Sequence, residues 1–328
     1  MPDLNLILPD GRVVHSFKET VTEGKTKEIR RLSNGETELE GMVAVISKDD
    51  ITAHNKAANT RQFPRKGEYS TQTNCSVMEL WRAGGIPVAF VSRFTNCSNA
   101  FLSHNCKMIL LEAVARRKAT GSYLKRHPSV VKYHTFNPLE VEFFLKTTAG
   151  ELRVDGNVLV SGLTTEEDDP LIENPYAQVW TLVHPQEAQG SPQARLGLGV
   201  EPARLGITSE LMVQMDEILR RCFLILEEAW RMQNCDLIDM KIEFGITDQG
   251  ELVVADVADN DSWRLINRET GQEMSKEYFR QGGDLASVAA FYAEVNNRAQ
   301  HFPKMARASG GVISVADMRY QQEERQRA

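Results

Sequence analysis

The chain is poor in cysteine, with five among 328 residues: Cys75, Cys97, Cys106, Cys222 and Cys235. They are widely spaced, without a CxxC pair or Cys/His metal spacing. This argues against a disulfide framework or a zinc site and for reduced thiols. No apolar run approaches the roughly 20 residues of a membrane helix. Met1 to Val14 lacks the basic and apolar regions of a secretory signal. A cytoplasmic protein without a membrane partner is therefore expected. An excess of positive charge is also missing. The formal net charge of −7 argues against a nucleic-acid binder, although Lys and Arg can still be concentrated at one anion site. The Walker A spacing is absent. So is any Ser/His/Asp or Cys/His constellation. His54, His104 and His127 are scattered and read as structural.

What is present is ordinary for a globular chain: 41% apolar and 25% charged residues. The length suits a two-lobed unit or two domains. Val21 to Arg31 reads as a strand, Ser33-Asn34-Gly35 as a turn and Met42 to Ser47 as a strand. Glu68 to Arg82 reads as a helix ended by Gly84-Gly85. Pro87 to Phe94, Lys107 to Ala115 and Leu139 to Lys146 read as strands. Gly150 to Leu205 has weak periodicity and reads as an elaborated loop region, apart from a hairpin near Leu152 to Val160. Thr208 or Ser209 caps a helix whose stripe runs through Leu211, Met215, Ile218, Leu219, Cys222, Leu226 and Trp230, with Asn234 as its stop. Asp284 caps a helix from Leu285 to Gln300, and Gln321 to Ala328 reads as a fraying tail. The mix is α+β, without internal repeats.

Leu237 to Phe244 and Glu251 to Ala258 read as strands around a turn at Asp248-Gln249-Gly250. A two-residue loop at Gln249-Gly250 would set Glu243 directly opposite Asp256. Asp239, Lys241, Glu243 and Asp256 would share one face, opposite an apolar face. Opposed carboxylates need compensation. The hairpin alone leaves open a divalent cation, such as Mg²⁺ held by carboxylates and substrate phosphates, or a solvated face neutralised by Lys241. A three-residue loop would shift the pairing by one.

Gly24 between Glu23 and Lys25 allows close approach to the backbone, and Lys25 and Lys27 on one strand face suit a polyphosphate. Alone, the segment also reads as a solvated basic strand. Arg116 to Ser122 combines guanidinium groups with a Gly-Ser turn, suited to phosphate but equally a surface basic cluster. Asp259 to Arg264 reads as an Asn/Asp/Ser turn.

Taken together, EGKTKEI (Glu23 to Ile29), KDDITAHN (Lys48 to Asn55), RKG (Arg65 to Gly67), ARRKATGSYLKR (Ala115 to Arg126), DDPLI (Asp168 to Ile172), LIDMKIEFG (Leu237 to Gly245) and VVADVADNDSWRL (Val253 to Leu265) occur in the order of one family. The chain resembles SAICAR synthetase, phosphoribosylaminoimidazole-succinocarboxamide synthase, from about Thr22 to Arg280. The NDSWRL form is closer to the eukaryotic type. The chain is expected to end before the carboxylase domain fused to the animal enzyme.

The resemblance implies a two-lobed α+β fold related to ATP-grasp, with antiparallel sheets flanked by helices. The lobes would be residues 1–115 and 116–328, with the elaborated region at 150–205. It implies an ATP-dependent ligase joining L-aspartate to CAIR, with ATP and Mg²⁺ and no nucleic-acid partner. A homo-oligomer is left open. By position, Gly24, Lys25 and Lys27 match the nucleotide-phosphate strand. Met108 and Glu112 match the adenosine side, and Lys146 lies near the nucleotide. Glu243 and Asp256 match the metal ligands. Arg116, Ser122, Arg264 and Arg280 match groups around the ribonucleotide. Asp50, Asp169, Asp239, Lys241 and Lys276 line the same cleft, with Asp239 and Asp50 as candidates for the general base. Leu110 stands where the family usually has Pro, and Ser275 replaces a common Asp. A related ligase or kinase with another acceptor, or a catalytically silent nucleotide-binding homologue, are the competing readings.

Overall fold

The computed structural model describes residues 4–33, 38–52 and 59–304. The turn residues Asn34 and Gly35, His54 with the end of the KDDITAHN segment, and the tail from Gln321 lie outside the described residues. The chain divides into two compact units that are discontinuous in sequence. The first comprises Met1–Lys107, Leu224–Leu237 and Gly245–Ala328, and the second Met108–Phe223 and Ile238–Phe244. A consecutive split after residue 115 would cut the continuous strand Cys106–Lys118.

In the first unit, β1 (Leu4–Ile7), β2 (Val13–Glu23), β3 (Lys27–Ser33) and β4 (Glu38–Ser47) form an antiparallel meander. Two short strands, β5 (Asp50–Thr52) and β6 (Thr60–Gln62), pair as a hairpin, and α1 spans Lys66–Ala83. The main sheet is completed by β8 (Ala100–His104) and β7 (Phe90–Arg93), in the order β1-β2-β3-β4-β8-β7. Its inward alternation buries Leu6, Val14, Leu32, Ala44, Ile46 and Leu102 in one core. The single strand expected from Val21 to Arg31 is in fact a hairpin. Glu23 pairs with Glu28, and the Gly24 N–H donates to the Lys27 carbonyl at 2.9 Å. Lys25 therefore sits on a turn, and only Lys27 is on a strand.

The second unit carries β9 (Cys106–Lys118, from Met108 onward), α2 (Ser122–Arg126) and β10 (Thr135–Leu145). The hairpin expected near residue 152 is present as β11 (Leu152–Val154) and β12 (Asn157–Val160). The rest of the 150–205 region is more ordered than its composition suggests. It contributes β13 (Leu171–Ile172), β14 (Trp180–Val183) and β15 (Arg195–Val200), which extend the sheet antiparallel beyond β10. Trp180 and Leu182 are fully buried there. Isolated buried residues on strands this short leave almost no periodic signal.

Besides β9, two further elements run from one unit into the other: α3 (Ser209–Met232) and β16 (Cys235–Thr247). The Thr208 hydroxyl accepts the Leu211 N–H at 3.2 Å as the expected cap of α3, and Asn234 follows its end at φ 58°. The first unit closes with β17 (Leu252–Ala255), β18 (Trp263–Asn267), α4 (Lys276–Arg280) and α5 (Leu285–Ala299). Asp284 caps α5 by accepting the Ser287 N–H at 2.8 Å.

The turn after β16 decides the register. The Gly250 N–H donates to the Thr247 carbonyl at 2.9 Å, and the Thr247 N–H to the Glu251 carbonyl at 3.0 Å. The loop thus has three residues, with Gly250 in left-handed backbone at φ 82°. Pairing shifts by one from the two-residue expectation, so Glu243 and Asp256 are not direct cross-strand partners. Asp256 lies just past the end of β17, itself left-handed at φ 61°.

Candidate functional site

The second unit presents a charged strand face built by two-residue alternation. Met108, Glu112 and Arg116 come from β9, Glu142 from β10, and Asp239, Lys241 and Glu243 from β16. Lys146 follows β10, and its N–H donates to the Leu110 carbonyl at 3.0 Å. A Pro at position 110 could accept the same bond. The buried Glu243 carboxylate receives Lys146 Nζ at 2.5 Å and Lys241 Nζ at 2.6 Å. Lys241 also reaches Glu112 at 3.3 Å. Met108, at the outer end of β9, is exposed.

Deeper on the same face, Arg116 Nε donates to Glu142 at 2.7 Å and its Nη1 to Asp239 at 2.7 Å. Glu142 also receives Arg126, which donates on to the Pro185 carbonyl at 2.5 Å. All four charged residues are buried. Burial works against the Glu142 carboxylate, but the two guanidinium groups outweigh it and hold its pKa below the ordinary value. Arg116 and Asp239 are thus tied to each other in the interior. An Asp239 already accepting from Arg116 is poorly placed to act as a base.

Asp169 sits at φ 55° and exchanges bonds with Thr147. Its carboxylate accepts the Thr147 N–H at 2.9 Å, and its own N–H donates to the Thr147 hydroxyl at 2.9 Å. Burial, with Glu112 and Asp168 nearby, pushes its pKa up to about 6. Ser122 opens α2 after Gly121 and is half-buried.

In the first unit, Lys27 forms an ion pair with Asp256. Gly24 and Lys25 are exposed at the turn, where Lys48 Nζ donates to the Gly24 carbonyl at 3.1 Å. Asp50 accepts Gln62 Nε2 at 2.8 Å on the β5–β6 hairpin. Its neighbour Asp49 serves α1, accepting the Gly67 N–H at 2.8 Å. A second cluster gathers around Asp261, which receives Lys66 Nζ at 3.1 Å, Lys276 Nζ at 3.4 Å and the Tyr292 hydroxyl. Glu277 receives Arg264 at 3.1 Å and Arg280 at 3.2 Å. Burial and the adjacent Asp261 raise the Asp259 pKa. Burial opposes ionisation of Asp261, but Lys276 and Lys66 pull its pKa far down. Ser275 caps α4, its hydroxyl accepting the Glu277 N–H at 3.3 Å, a role an Asp would fill equally.

Lys66, Glu142, Arg126 and Tyr292 carry no sequence signal that marks them as part of a site. Lys66 was visible only inside the RKG segment, and nothing in its spacing marks a buried lysine. Asp259 and Asp261 are turn formers, as their sequence suggests: Asp259 accepts the Asp261 N–H at 2.9 Å. They are also the carboxylates that face Lys66.

Glu243 and Asp256 offer the oxygen donors a hard divalent cation prefers, yet both are compensated by lysines. Among the described residues, no group of three or more His, Cys, Asp or Glu is placed to hold a metal. Either carboxylate by itself fits a Mg²⁺ that arrives with phosphate oxygens and keeps water, rather than an all-protein cage.

Antiparallel sheets flanked by helices place the chain in an α+β class shared with solved SAICAR synthetases. It is similar to "SAICAR synthetase (Type-2) in complex with ADP", with a TM-score of 0.64 and 23% identity, over 86% of this chain and 97% of that one. The synthase from Ehrlichia chaffeensis aligns at TM-score 0.64 and 22% identity, over 86% and 98% of the two chains. The SAICAR synthetase family model matches residues 20–184 and 197–299, and the chain belongs to that family. It is 36% identical over 270 residues to "Multifunctional protein ADE2" of Gallus gallus, covering 82% of this chain and 53% of that protein. It is 33% identical over 286 residues to the phosphoribosylaminoimidazole-succinocarboxamide synthase of Roseiflexus castenholzii, covering 85% and 96%. The chain spans about half the length of several multifunctional relatives it matches. Among the described residues, no helix is long and apolar enough to cross a membrane.

Proposed function

We propose that the chain joins L-aspartate to the carboxylate of CAIR at the expense of ATP, giving SAICAR, ADP and phosphate. The observation that carries this reading is that the carboxylates on the family's own motifs are compensated by lysines, Asp256 by Lys27 and Glu243 by Lys241 and Lys146.

A carboxylate is a poor acyl donor because its leaving group would be oxide. Phosphorylation converts it to an acyl phosphate, which the aspartate amine attacks with release of phosphate. The chain's task is positioning and charge neutralisation rather than covalent catalysis. Lys25, Lys27, Lys146 and Lys241 supply positive charge for a polyphosphate. Gly24 leaves the turn backbone accessible, and Met108 and Glu112 provide the adenosine side. Arg264, Lys276, Arg280 and Ser122 hold the anionic ribonucleotide. Glu243 and Asp256 are the family-matched carboxylates for Mg²⁺, which would neutralise charge developing in phosphoryl transfer.

The test is a coupled assay for SAICAR formation from CAIR, ATP and aspartate. ADP release should require CAIR and aspartate together. Release with CAIR alone would indicate a kinase, release with a different acceptor another ligase, and ATP binding without any ADP a silent homologue. Glu243→Ala and Asp256→Ala should each lower turnover on the order of 100-fold while the proteins remain folded. Near-wild-type Mg²⁺-dependent activity in both would remove the metal assignment.

A further inference from the structure

One face of α1 carries Lys66, Ser70 and Asn74, a helical i, i+4, i+8 row, and all three are buried. Polar groups on a buried helix face need partners, and Lys66 and Asn74 find them on the segment that follows β17. The Asn74 side-chain oxygen accepts the Ala258 N–H at 2.9 Å, and Lys66 donates to Asp261.

Asp261 is shared. One carboxylate oxygen takes the Tyr292 hydroxyl, and the other faces two ammonium groups, Lys66 at 3.1 Å and Lys276 at 3.4 Å. The two lysines differ in position. The Lys66 side chain is 2% exposed and cannot meet a ligand, whereas that of Lys276 is 11% exposed. A lysine this deeply buried normally tends to lose its charge. Here burial is outweighed by Asp261 and Asp259, so its pKa is raised and it stays an ammonium. Lys276 moves the other way: burial leads, Arg280 and Lys66 add repulsion against the pull of Asp261, and its pKa is lowered.

We propose that Lys66 is a positioning residue: by neutralising Asp261 from the buried side, it leaves the Lys276 ammonium available to an anionic group of the substrate. The proposal rests on the ligase reading for the identity of that substrate, an anionic ribonucleotide, but not for the division of labour between the lysines. Without Lys66, Asp261 has one remaining ammonium partner, and Lys276 is drawn onto it. Arginine at position 66 keeps the charge and should largely keep the effect.

The experiment uses the full chain and three variants: Lys66→Met, Lys66→Arg and the charge-balanced double variant Lys66→Met/Asp261→Asn. The first readout is Lys276 acylation by an amine-reactive reagent, followed by peptide mass spectrometry. It needs no turnover, so it reports on the lysines even if the ligase reading fails. Lys276 labelling should fall several-fold in Lys66→Met and recover in Lys66→Arg and in the double variant. The second readout is steady-state kinetics. Lys66→Met should raise KM for CAIR about tenfold with kcat changed less, and the double variant should bring KM back towards wild type. A purely structural lysine would instead lower the melting temperature without the labelling change, and the double variant would not restore KM. Unchanged Lys276 labelling in Lys66→Met overturns the proposal. If Lys66→Met does not fold, unequal Lys276 labelling between the double variant and wild type does so.

Discussion

At the residue scale, a half-buried carboxyl and a buried one pull stability in opposite directions with pH. Asp169 is raised to about 6 by burial and by Glu112 and Asp168. Folding therefore favours its protonated form. Its penalty is absent below the unfolded carboxyl range, grows as pH rises through about 6, and is complete above that. Asp169→Asn should raise the urea midpoint of the ligand-free protein at pH 7.5, and the gain should shrink towards pH 4. A gain independent of pH would show that the carboxylate is not the source. Glu142 is the reverse case, with its pKa held down by Arg116 and Arg126 against burial. Its contribution is present above the unfolded value and is lost as pH falls through the depressed one. Glu142→Gln leaves two buried guanidinium groups without their shared anion, and should cost about 3–5 kcal/mol in urea unfolding at neutral pH.

At the scale of elements, the start of α1 lies close against the end of β4. A Cβ on Gly67 would come 2.6 Å from the Ser47 carbonyl oxygen. Gly67→Ala must push the start of α1 outward, at a cost of about 1–3 kcal/mol. A shift of that size is readable in the urea midpoint, whereas a midpoint equal to wild type would mean that the contact relaxes freely. The helix itself was legible from its sequence, because Val77, Leu80 and Trp81 recur at helical spacing and Gly84-Gly85 ends it. The buried polar row was not legible, since Lys66, Ser70 and Asn74 look like a solvated face until the partner segment is known. The charged face of β16 could be read from alternation, but the opposed pairing of Glu243 with Asp256 could not. Two- and three-residue loops both place a glycine at Gly250, and the sequence does not choose between them. The strands Leu171–Ile172 and Trp180–Val183 were hidden for another reason. They are too short to show a period, and their burial comes from the sheet they join.

At the scale of the whole molecule, the units are interleaved in sequence, and the proposed metal carboxylates belong to different ones: Glu243 to the second and Asp256 to the first. Each carboxylate can be tested for Mg²⁺ on its own, without turnover. A ligand that binds only the folded state stabilises it by mass action, about 2.7 kcal/mol at a concentration 100-fold above its Kd. If these carboxylates hold Mg²⁺ brought in with the nucleotide, ADP with Mg²⁺ should raise the melting temperature more than ADP with a chelator. Asp256→Asn and Glu243→Gln should each reduce that difference while leaving the smaller effect of ADP alone, which the lysines carry. A variant that keeps the full Mg²⁺-dependent shift would remove its carboxylate from the metal site. A shift lost in one variant and kept in the other would assign the cation to a single unit.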